Sequence, residues 1–92
     1  MCRSIRVLHH FDPPTTPDEI RAAALQFVRK VSGATRPNRD DEEAFARAVE
    51  EVTATTERLL AALRPPRAAL RTREGEKAKA RARRERRDAP RP

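Results

Sequence analysis

Apolar positions recur at helical spacing in two stretches of the chain and alternate in a third. Ile20, Ala24, Phe27, Val28 and Val31 fall at i, i+4, i+7, i+8 and i+11, one face of a helix at 3.6 residues per turn. Leu25 lies beside this stripe and widens it, so that the helix could touch two surfaces. Phe45, Val49, Val52, Thr56, Leu59 and Leu63 step by 4, 3, 4, 3 and 4, a heptad-like seam broadened by Leu60. Thr56, the polar member, is expected to bond a carbonyl one turn back. Near the N-terminus, Ile5 and Val7 alternate with Arg6 and Leu8, the pattern of a short extended arm. A lone strand leaves its backbone groups unpaired, so the arm is expected to pack across the helices or to pair with another chain.

Polar punctuation sets the boundaries. Phe11-Asp12-Pro13-Pro14 stops the arm, because each proline lacks a donor and restricts the residue before it. Thr16-Pro17-Asp18-Glu19 is a capping box with proline at the first helical position. Gly33 ends this helix, with Arg29 and Lys30 complementing the negative end of its dipole. A second capping box is expected from Asp40 and Glu43, and Arg64-Pro65-Pro66 closes the second helix. The spacing thus predicts an all-α fold, an antiparallel helical hairpin over about 17–32 and 40–63 joined by a short loop.

Charge divides the chain differently. Residues 1–63 hold 9 Lys/Arg against 10 Asp/Glu, whereas residues 64–92 hold 12 against 4, so the net charge of +7 resides in the tail. The expected organisation is a small helical domain at 1–64 with its arm, followed by a basic flexible tail at 65–92. Ala, Arg, Lys and Glu favour a partly formed, solvated helix over about 72–87, with Gly75 interrupting its first turn. With one helix pair supplying little core, homodimerisation through the remaining apolar surface into a four-helix arrangement would complete it.

No 18-residue apolar run and no charged-then-apolar leader is present, so neither a membrane partner nor export is expected, and the cytoplasm is the expected location. The single cysteine cannot form an internal disulfide.

Three groups of residues carry candidate chemistry. Cys2, His9 and His10, with Asp12 nearby, combine donors that zinc or another transition metal accepts, although their spacing matches no ordinary structural site. No other cofactor is expected. Cys2 beside Arg3 and Arg6 could instead act as a reactive thiolate. A two-helix protein offers little concave volume for a substrate, and the chain is read as a non-enzyme. Arg29 and Lys30 join Arg36 and Arg39 of the following loop in an anion-binding corner near Gly33, opposed by the helix C-terminal dipole. In the tail, Lys77, Lys79, Arg81, Arg83, Arg84, Arg86 and Arg87 would attract nucleic acid or an acidic protein. Without aromatic residues there for stacking, nucleic-acid binding would be non-specific and salt-sensitive.

Met1-Cys2-Arg3, Pro13-Pro14 and the run from Ile20 to Gly33, which includes Gln26-Phe27-Val28-Arg29-Lys30, resemble a family of small uncharacterised bacterial proteins, catalogued as a domain of unknown function. The resemblance continues through Phe45, Ala48, Val49 and Leu59-Leu60 and covers roughly residues 1–63. It implies a bacterial source and a helical fold, and no activity. The chemical reading is therefore a non-enzymatic helical interaction protein, with a metal- or thiol-dependent accessory protein built on Cys2, His9 and His10 as the alternative.

Overall fold

Three helices follow the extended arm in the computed structural model, which describes residues 4–90: α1 (Pro17–Ser32), α2 (Glu42–Ala62) and α3 (Arg73–Asp88). Helix α1 starts and stops where its local chemistry directs. Thr16 is extended, with φ −87° and ψ 157°, its hydroxyl accepts from the Glu19 N–H at 3.2 Å, and the Glu19 carboxylate accepts from the Thr16 N–H at 2.9 Å. Gly33 turns the chain out of the helix at φ 71°, a left-handed conformation that glycine adopts without a Cβ penalty.

The start of α2 departs from expectation, because Asp40 and Glu43 form no capping box. A single 3-10 turn at Arg39–Asp41 precedes the helix and leaves Asp41 as its N-cap with helical angles, φ −103° and ψ −3°. A capping side chain reaches back to the orphan N–H groups from an extended residue; from a helical one it is aimed elsewhere, and no side-chain cap forms. Glu43 instead pairs with Arg47 one turn on, at 3.3 Å.

The helix pair packs through a narrower contact than the two apolar stripes allow. Ala24 and Val28 of α1 and Val49 of α2 form the buried cluster, with Leu25, Phe45, Ala48 and Val52 packed against it. Ile20 is also buried, but Phe27 is 38% exposed and Val31 71%, since α1 has one helical neighbour rather than two. Along α2 the seam holds through Phe45, Val49, Val52 and Thr56, and then Leu60 is half-buried while Leu59 and Leu63 stand in solvent. Helix length accounts for this: at 1.5 Å per residue the 21-residue α2 is about 8 Å longer than the 16-residue α1, so its last turns overhang the start of its antiparallel partner. Thr56 donates to the Val52 carbonyl at 2.7 Å, and Thr53 to that of Val49 at 2.6 Å, which satisfies both hydroxyls inside the contact.

Beyond Arg73 at its first position, helix α3 lies against neither α1 nor α2. The molecule consequently measures 53 × 37 × 16 Å, and its radius of gyration of 16.3 Å exceeds the roughly 12 Å of a compact chain this long. Thr72 caps α3 by accepting from the Gly75 N–H at 3.0 Å, so Gly75 occupies the third helical position instead of interrupting the turn. A Cβ at Gly75 would stand 2.8 Å from the Thr72 hydroxyl oxygen, and glycine leaves that cap room to form.

Candidate functional site

Part of the arm's backbone finds partners within its own chain. The side-chain carbonyl oxygen of Gln26 accepts from the N–H groups of Ser4 and Ile5 at 2.8 and 2.9 Å, which lays the start of the arm across α1. Leu8 buries its side chain, and the Thr15 hydroxyl donates to its carbonyl. Further on, Phe11 and Arg71 form a parallel bridge, in which Asp12 N–H donates to the Arg71 carbonyl at 2.9 Å and Arg71 N–H donates to the His10 carbonyl at 2.8 Å. His10 adopts φ 66°, a left-handed conformation uncommon outside glycine.

Two arginines fasten this junction. Arg71 donates to the His9 carbonyl at 2.7 Å and pairs with Glu76 at 3.3 Å. Arg73 donates to the carbonyls of Pro13 and Pro14 at 2.8 and 3.2 Å, and its guanidinium lies 5.4 Å from the centre of the Phe11 ring. Its remaining donors reach both carboxylate oxygens of Glu19, at 2.7 and 3.1 Å, a planar two-point contact for which guanidinium is suited. Arg6 adds a second cation to Glu19 at 3.3 Å. The Arg73 hydrogen bonds, with those from Thr16 beneath them, hold the Glu19 carboxyl down at about 2 against partial burial that would raise it. The same carboxylate holds the Arg73 guanidinium above its ordinary value.

Of the candidate metal donors, Cys2 lies outside the described residues. His9 and His10 are adjacent, with ring centroids 6.2 Å apart and planes tilted by 40°. Nε2 of His10 sits 2.8 Å from the Ala68 carbonyl, and because a carbonyl accepts, that nitrogen carries the proton. Asp12 is exposed. Among the described residues no three His, Cys, Asp or Glu side chains gather where they could hold a metal ion.

The anion-binding candidates divide into two. Arg29 and Lys30 line an open groove of about 660 Å³ between the arm and the end of α1, together with Ser4, Leu25, Gln26 and Thr35. Arg36 and Arg39 are exposed and do not line it. Arg29 spends its Nε–H on the Thr35 carbonyl at 3.1 Å, which shapes the loop after α1. Leu25 touches two surfaces, as its position beside the stripe predicts: the helix contact on one side and this groove on the other.

Helix α3 carries the basic tail residues on one element. Lys77, Lys79, Arg81, Arg83, Arg84, Arg86 and Arg87 are all exposed, and of these only Arg87 has an acidic partner among the described residues, Asp88 at 3.6 Å. Cationic side chains at Arg86 and Arg87 complement the negative end of the helix, and Glu74 and Glu76 the positive end.

Glu19, Gln26, Arg71 and Arg73 were not among the site residues expected from sequence. Glu19 is legible there as a cap, but Gln26 is a polar residue outside the apolar stripe of its helix, and Arg71 and Arg73 read as part of the basic tail. The nearest signal is that Arg71 and Arg73 stand at the acidic N-terminal end of α3, where cations oppose the helix dipole and call for another partner. No solved structure and no curated protein is significantly similar to the chain. The family described as an uncharacterized conserved protein, DUF2277, matches residues 1–81, so the match takes in the arm, the hairpin, both fastening arginines and the first half of α3. The chain belongs to the DUF2277 family.

Proposed function

We propose that this chain is a non-enzymatic helical interaction protein whose α3 binds polyanions, nucleic acid or an acidic protein surface, by charge. The observation that carries the reading is the placement of Lys77, Lys79, Arg81, Arg83, Arg84 and Arg86, exposed and without acidic partners among the described residues, on a helix held off the hairpin by a junction at its first turn. Such a helix offers its charge to a partner without first breaking internal ion pairs. The strongly displaced carboxylate, Glu19, is accounted for by Arg73 and its cap and does not line the groove, which favours a structural role over a catalytic one. Neutral glutamine at those six positions should abolish polyanion binding that the full chain shows at low salt. Six phosphate contacts imply that wild-type affinity falls by about 10³-fold between 50 and 200 mM salt. Equal binding by the two proteins, or binding indifferent to salt, would refute the reading.

The hairpin supplies a second contact in this reading. Leu59 and Leu63 are 54% and 44% exposed on the overhanging end of α2, and two copies side by side would cover them in a four-helix arrangement. Sedimentation should give a dimer mass for the wild type and a monomer mass for Leu59→Lys/Leu63→Lys; a monomeric wild type at high concentration counts against the self-contact.

A further inference from the structure

Two residues on the outer face of α1 each fasten one wall of the groove that they line. Gln26 holds the start of the arm, its Oε1 accepting from the Ser4 and Ile5 N–H groups at 2.8 and 2.9 Å. Arg29 holds the loop after the helix, its Nε–H donating to the Thr35 carbonyl at 3.1 Å. Each has donors left over that meet no acceptor among the described residues. For Gln26 these are both amide hydrogens, because its oxygen is committed to the arm; for Arg29 they are the two terminal nitrogens of the guanidinium. Lys30 also lines the groove, is exposed, and makes no ion pair among the described residues.

The charge around these donors is one-sided. Between Glu19 and Asp40 the chain holds five Lys/Arg and no acidic residue, and no acidic side chain among the described residues lines the groove. The carbonyls at the end of α1 carry about half a negative charge, which opposes an anion. Two carbonyls in this region are already engaged, that of Arg29 by the Ser32 hydroxyl at 3.4 Å and that of Thr35 by Arg29, and the full charges of Arg29 and Lys30 outweigh the remainder. Ala22, Leu25 and Ala34 give the groove an apolar side, and its volume of about 660 Å³ falls within the roughly 300–1,000 Å³ of small-molecule sites. A bare anion gains little from exposed cations in water. One that carries an apolar body also covers Leu25 and its neighbours, and gains from both.

We infer that this groove binds a small organic anion, a carboxylate or a phosphate ester with an apolar body. The charged end meets Arg29 and Lys30, and the body lies against Leu25. The site is separate from α3, and the experiment distinguishes the two. The full chain is titrated with octanoate, octyl phosphate, acetate, inorganic phosphate and octanol while backbone amide shifts are followed by NMR. Octanoate or octyl phosphate should shift the Gln26, Arg29 and Thr35 amides and bind at least about tenfold tighter than acetate or inorganic phosphate. Octanol, which lacks the charge, should bind at least about fivefold more weakly than the tighter of the two, and that one identifies the anionic group. Because Arg29 also fastens the loop, Lys30→Gln is the cleaner variant, with an expected loss of about three- to fivefold. Ala22→Glu, at an exposed helical position, sets a negative charge in the groove and should weaken binding by about tenfold or more. Neutral glutamine at the six cations of α3 should leave the affinity unchanged. Shifts confined to α3, equal binding of octanol and both anions, indifference to Lys30→Gln and Ala22→Glu, or no binding at all would overturn the assignment.

Discussion

Oε1 of Glu19 and Nη2 of Arg73 are 2.7 Å apart across 54 residues of chain, and this contact ties the start of α1 to the start of α3. Glu19 serves two structures at once, since the same carboxylate caps α1 through Thr16. Glu19→Gln separates the two roles, because glutamine can still complete a capping box but carries no charge. Solvent reaches the pair, so the expected loss is about 1 kcal/mol. It should appear locally, as roughly fivefold faster hydrogen exchange at the Asp12 and Arg71 amides, while α1 amides keep their protection. Loss of α1 protection in step with the bridge would show that the ion pair supports the whole hairpin instead.

The same carboxylate predicts how the junction responds to acid. Its folded value of about 2 lies below the 4.5 of the free side chain, so its contribution is fully present above about pH 4.5 and is lost as the pH falls toward 2. Bridge-amide protection should decline through that window in the wild type, and Glu19→Gln should remove the component that follows the Glu19 carboxyl titration. A wild-type junction indifferent to pH between 4.5 and 2 would exclude Glu19 as its fastener.

Burial rather than apolarity should decide which leucines matter for stability. Leu8 is 8% exposed and Leu63 44%, so Leu8→Ala should cost about 2–3 kcal/mol and Leu63→Ala under about 1 kcal/mol in urea unfolding. The reverse order would mean that the arm is peripheral and the end of α2 is buried in solution.

Gln26 predicts an arm that detaches without unfolding. Gln26→Ala removes the acceptor for the Ser4 and Ile5 amides, each bond worth about 1 kcal/mol. Exchange at those two amides should accelerate, with the Ala24, Val28 and Val49 cluster unaffected. Unchanged exchange at Ser4 and Ile5 would mean that something other than Gln26 holds the arm.

Helix positions proved legible because their determinants are close in sequence. Pro17 to Ser32 was expected from the Thr16–Glu19 box and Gly33, and forms as read. The helix expected over about 72–87 is observed at Arg73–Asp88, one residue further along. Where local signals misled, a neighbouring turn had intervened: the 3-10 turn at Arg39–Asp41 removed the cap expected of Asp40 and Glu43. The apolar stripes marked faces correctly but overstated burial, since a pattern records which side of a helix is apolar and not how many partners it has or how long they are. Phe27, Val31, Leu59 and Leu63 are the residues left out.

By itself the sequence determined the three helices, the hairpin and the concentration of positive charge after residue 63, all consequences of caps, prolines, periodicity and composition acting within a few turns. Only the tertiary structure decided that Arg71 and Arg73 leave the pool of tail charges to fasten the arm, that Gln26 turns from solvent to backbone, and that the body of α3 stands off the hairpin with its cations exposed. An arginine or glutamine side chain is compatible with water or with a partner. Which it meets depends on contacts 21 to 62 residues away, made once the chain has closed on itself.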